Sequence, residues 1–110
     1  MKLIVAIVQD EDAGRLVSAL MDKGFGVTKL ATTGGFLRAG NTTLISGVED
    51  EKLDAALAVI EKICKSREQI TASTTPRSGG AGGVYVPYPI RVTVGGATVF
   101  VLEVSQFLKV

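Results

Sequence analysis

Two hydrophobic periods alternate along this chain. Residues Leu3–Val8 form an unbroken apolar run rich in β-branched side chains, which predicts a central strand buried on both faces. From Asp10 the period lengthens, and Ala13, Leu16, Val17, Leu20 and Met21 recur at helical spacing. Asp10, Glu11 and Asp12 supply an N-cap and an acidic first turn for that helix, and Gly24 and Gly26 stop it. Val27–Thr33 and Asn41–Val48 return to β-branched alternation and read as two strands joined across Gly34–Gly40. Glu49, Asp50 and Glu51 open a second helix with the apolar face Leu53, Ala56, Leu57, Ile60, Ile63 and Cys64, ending near Lys65.

Strand, helix, strand, strand, helix, completed by a last apolar strand at Ala97–Val104, is the order of an α+β chain. It predicts a ferredoxin-like βαββαβ sandwich forming one domain over residues 1–110. An insertion interrupts it. Glu68–Ala72 and Ile90–Val94 alternate well enough to pair as a hairpin. Their connection, Ser73–Pro89, holds every proline of the chain and the run Gly79-Gly80-Ala81-Gly82-Gly83. A connection that long is either disordered or functional in a compact domain. Gly95-Gly96 permits a tight bend into the last strand.

Composition narrows the function classes. Twelve basic against 11 acidic residues give a net charge of +1, too balanced for a surface that binds nucleic acid polymers or anionic membranes. Leu3–Val8 is too short for a signal peptide or a membrane span, so a cytoplasmic protein without membrane insertion is expected. Cys64 is the single cysteine and histidine is absent, which excludes an intrachain disulfide and the usual zinc or haem sites. No nucleophile has an activating partner, and the acids sit where helix starts already explain them, so no catalytic residue is expected. Lys29, Arg38 and Arg67 are available to bind anions but resemble no catalyst.

The most informative stretch is Lys29–Thr43, KLATTGGFLRAGNTT. Its glycines let backbone amides approach an anion, Phe36 offers a face for a base, and Asn41 carries both a donor and an acceptor. Taken alone, the run reads either as a nucleotide grip or as a hairpin with a glycine-rich turn and an ordinary core phenylalanine. It does not match a phosphate-binding lysine loop.

With Val5–Asp10, Arg67–Gln69, Tyr85–Pro89 and Gly95–Leu102 in the same order, this stretch resembles the PII-like cyclic-di-AMP receptors of the PstA/DarA type over nearly the full chain. The resemblance implies a ferredoxin-like homotrimer, without cofactor, that binds one cyclic-di-AMP in each cleft between subunits and signals to a protein partner through its loops. It implies that Thr28 bonds a phosphate, Gly35 and Phe36 give backbone and ring contacts, and Leu37 packs on a base. Asn41 would read an adenine, the Gly47 backbone would complete that recognition, and Phe100 would line the cleft from the adjacent subunit. Gly26 departs from the pattern, because the family resemblance implies an arginine on the phosphate there. Gly26 also lies in the helix-to-strand turn, where a glycine is expected for a backbone angle that arginine disfavours. A PII-type sensor of ATP or another adenine nucleotide has the same fold, but its long loop after the second strand has no counterpart here. A small enzyme or metal-binding trimer is opposed by the absent histidine and single cysteine.

Overall fold

The computed structural model describes residues 1–30, 40–73 and 88–110. Its elements are β1 (Lys2–Gln9), α1 (Asp10–Asp22), β2 (Thr28–Lys29), β3 (Asn41–Val48), α2 (Leu53–Cys64), β4 (Arg67–Ser73), β5 (Tyr88–Val94) and β6 (Ala97–Glu103). A short 3-10 turn at Asp50–Lys52 precedes α2. The main sheet has the order β2-β3-β1-β6 with every neighbouring pair antiparallel. That mixed α+β arrangement is compatible with the ferredoxin-like fold. β4 and β5 form a separate two-stranded sheet, in the register Glu68↔Thr93 and Ala72↔Pro89.

Both helices pack on one face of the main sheet. Ile4, Ala6 and Val8 of β1 and Leu44 of β3 are buried against Leu16 and Leu20 of α1 and Ala56 and Ile60 of α2. Each large aliphatic side chain buried there contributes roughly 1.5–3 kcal/mol. The alternate positions of β1 are only half-buried, so the run is not covered on both sides as its composition predicts. Leu3, Val5 and Ile7 instead line a face that neither described helix covers. The apolar run thus marks a sheet with two apolar faces, one of them without cover among the described residues.

The helix ends follow local chemistry. The Gly24 N–H donates to the Met21 carbonyl at 2.9 Å and the Phe25 N–H to the Leu20 carbonyl at 3.0 Å. Those bonds form a Schellman motif with Gly24 at φ +86°, and Phe25 and Leu20 both enter the core. Of the two glycines at the end of α1, only Gly24 needs the left-handed region, because Gly26 does not have a positive φ. Met21, expected on the buried face, is 59% exposed, because the stripe centres on Ala13, Leu16 and Leu20. Val59 takes up a core position in α2 that the spacing argument passed over.

The first helix begins differently from the expectation. Gln9, not an aspartate, is the N-cap residue, and no side chain caps either helix start. The expected hairpin forms and is longer at both ends, so Ser73, Tyr88 and Pro89 are strand residues rather than loop. The remainder of that connection, most of Gly34–Gly40 and the end of the Val27–Thr33 strand lie outside the described residues.

Candidate functional site

Directly opposed residues of antiparallel strands share a face, so the register places each candidate. Thr28 opposes Ile45, Ile45 opposes Val5, and Val5 opposes Phe100. These four form one row across the uncovered face. Gly47 opposes Leu3 on the next row, and no atom lies within 4 Å of where its Cβ would be. Thr28, Gly47 and Phe100 are all exposed, Phe100 by 53%. Three candidates distant in sequence thus share one open, largely apolar surface.

Asn41 shares that face but not that place. It opposes Gln9 at the far end of β3, six residues from Gly47. At about 3.4 Å per residue the separation is roughly 20 Å. An adenine is far smaller, so Asn41 and Gly47 of one chain cannot read the same base. Gly35, Phe36 and Leu37 lie outside the described residues.

Gly26 is exposed, and a Cβ built there meets nothing within 4 Å. Its carbonyl accepts a 2.6 Å hydrogen bond from the Ser46 hydroxyl. The backbone reason for a glycine at this position is therefore removed. Lys29 opposes Leu44 and stands on the helix side of the sheet, away from Thr28.

The acidic start of α1 has functions beyond its favourable interaction with the helix dipole. The Thr42 hydroxyl donates to Asp10 Oδ1, joining β3 to the helix start. Asp12 is fully buried, and its Oδ1 receives Arg67 Nη2 at 2.9 Å and Arg15 Nη2 at 2.7 Å. The Arg67 hydrogen bond, assisted by Arg15, holds the Asp12 carboxyl below the usual carboxylate range although burial opposes this. Arg67 also donates to the Lys65 carbonyl at 3.2 Å, so this cation anchors β4 to α1. The sequence left it as an anion-binding candidate, because an ion pair 55 residues apart carries no local signal. Burial pushes the Cys64 thiol up to about 11, the mark of an inert core group. Among the described residues, no group of three or more His, Cys, Asp or Glu side chains is placed to hold a metal ion. None of their helices is long and apolar enough to cross a membrane.

Comparison with known proteins adds to this geometry. The chain is similar to a functionally unknown protein from Pediococcus pentosaceus ATCC 25745 whose crystal structure has been determined. The two are 44% identical, with a TM-score of 0.78, over 99% of this chain and 96% of that one. The family model for cyclic-di-AMP receptors matches residues 1–110. A match along the whole chain shows the family: this protein belongs to the cyclic-di-AMP receptors.

Proposed function

We propose that the chain is a non-catalytic, cytoplasmic signalling protein that binds cyclic-di-AMP between the protomers of a homotrimer. The observation that carries the ligand is the family match over residues 1–110. The division of the candidates supports a site made by two chains. Asn41 and Gly47 stand near opposite ends of β3, with the row of Thr28 and Phe100 between them, so one adenine meets both only if they come from different protomers. The same face carries Leu3, Val5, Ile7, Ile45 and Leu102, an apolar surface suited to association.

In this reading the phosphates meet the Thr28 hydroxyl and backbone amides, with Gly35, Phe36 and Leu37 supplied by the segment after β2. Asn41 reads one adenine, and the Gly47 backbone of a neighbouring protomer completes the contact. Among the described residues few cations face this surface, so affinity rests on amides, hydroxyls and base contacts more than on charge. Binding then shifts the population of the Gly34–Gly40 and Ser73–Pro89 connections, which changes how a protein partner docks. The ligand requires no further cofactor.

Light scattering and nucleotide titration test the two halves separately. The reading expects the mass of three chains and one cyclic-di-AMP per chain. A monomer or dimer at micromolar concentration sinks the shared cleft. Binding of ATP in preference to cyclic-di-AMP would favour the PII-type sensor of adenine nucleotides.

A further inference from the structure

Beside Asn41, a groove of about 290 Å³ opens on the uncovered face, lined by Ile7, Gln9, Asn41, the Gly95–Gly96 turn and Thr98. Its volume lies just below the ~300–1,000 Å³ of sites that hold drug-sized ligands, a size suited to one heterocycle rather than a whole dinucleotide. Gln9 and Asn41 are cross-strand partners, so two carboxamides stand side by side at the groove.

The Gln9 amide has a defined orientation. The Gly95 N–H donates to its Oε1 at 2.7 Å. A backbone N–H can only donate, so the oxygen must face it and the amino group takes the other arm. Among the described residues Gln9 Nε2 has no hydrogen-bond partner. Gly95 itself is fixed, with φ +85° and no room for a Cβ, which would stand 2.7 Å from the Lys65 carbonyl oxygen. The Gly96 N–H is bonded to the Cys64 carbonyl, which secures the same turn to the end of α2. A rigid turn thus presents a correctly turned amide donor, unpaired among the described residues, to a groove of base size.

We propose that Gln9 is a second reader of the adenine, donating from Nε2 to a ring nitrogen beside the base contact made by Asn41. The proposal rests on the reading of Asn41 as a base contact. An aromatic ring nitrogen without hydrogen is the acceptor this donor fits, and adenine presents such atoms at N1, N3 and N7.

Calorimetry with cyclic-di-AMP and analogues in which N1, N3 or N7 of each base is replaced by C–H tests it. The wild-type protein is expected to bind one analogue about tenfold more weakly than cyclic-di-AMP, the loss of about one buried hydrogen bond. Gln9→Met, which keeps the reach without the donor, should bind that analogue and cyclic-di-AMP equally. Gln9→Glu keeps an acceptor for the Gly95 N–H, so its melting temperature should stay near that of the wild type while affinity falls about tenfold or more. High salt should not restore the Gln9→Glu affinity; recovery in salt would mean that charge repulsion, not a lost donor, caused the fall, and would overturn the assignment. If Asn41→Ala weakens cyclic-di-AMP but the Gln9→Met variant discriminates among analogues as the wild type does, Gln9 is no reader and this proposal alone fails. If Asn41→Ala binds like the wild type, the underlying reading of the site fails with it.

Discussion

Replacing Asp12 should loosen the attachment of the β4–β5 hairpin to the body of the protein. The carboxylate is fully buried and its Oδ1 holds Arg67 at 2.9 Å and Arg15 at 2.7 Å. A hydrogen bond to a charged group is worth roughly 1.5–3 kcal/mol, but both arginines are partly solvated, 40% and 58% exposed. Solvent screening takes such pairs toward 1 kcal/mol or less each. Asp12→Ala is therefore expected to cost about 2 kcal/mol in total, or about 8 °C in melting temperature for a chain of this length. Scanning calorimetry at one fixed protein concentration measures it, since association would make the transition concentration-dependent. The pH dependence gives a second check. The Asp12 carboxyl is held below the usual carboxylate range, so its stabilisation is fully present above about pH 5 and is lost as pH falls through the lowered value. The difference between wild type and Asp12→Asn should be constant from pH 5 to 8 and shrink below pH 4. Amide exchange in β4 and β5 should quicken in Asp12→Ala. A melting temperature within 2 °C of the wild type, with hairpin exchange unchanged, would refute the anchor.

Other outcomes follow from the same structure. Gly95→Ala forces a Cβ into a left-handed turn against Arg67 and the Lys65 carbonyl, and should lower stability in urea titrations by at least about 2 kcal/mol, while Gly26→Ala should change it little. Cys64, with its thiol pushed up to about 11 by burial, should resist a disulfide reagent at pH 8 until the chain unfolds; labelling of the native protein within minutes would contradict its core role. Gly26→Arg should tighten cyclic-di-AMP binding about tenfold or more, the worth of one charge-assisted bond, and make it more sensitive to salt. Its exposed position and ordinary φ predict no loss of folding stability, and an affinity no better than the wild type would defeat the phosphate argument.

The helices and most strands were legible because burial writes itself into periodicity. Leu16 and Leu20 in α1, and Ile60 and Cys64 in α2, stand where their spacing put them. What one sequence could not show was which side of a doubly apolar strand has cover: Leu3, Val5 and Ile7 are as apolar as Ile4, Ala6 and Val8, yet only the second set lies under helices. The acidic residues were legible as the first turn of α1 but not for the partners they hold, for a related reason. Asp10 and Asp12 look like capping residues locally, whereas their actual partners are Thr42 and Arg67, brought near by the fold. At the site, Asn41 stood out through its neighbours in the sequence. Gln9 did not, because its significance depends on a cross-strand neighbour and on a turn 86 residues away. The separation of Asn41 from Gly47 was implicit in their six-residue spacing, and it became informative once both were placed on one straight strand.

The central claim is that this chain recognises cyclic-di-AMP with a site built from more than one protomer. Titration calorimetry of the wild type and Asn41→Ala with cyclic-di-AMP, set beside cyclic-di-GMP and ATP, tests it most directly. The account predicts one cyclic-di-AMP per chain, much weaker cyclic-di-GMP binding, and a loss of roughly 1–3 kcal/mol in Asn41→Ala with the assembly intact. No saturable binding of cyclic-di-AMP by the wild-type protein, or full binding by a monomeric form, would contradict it.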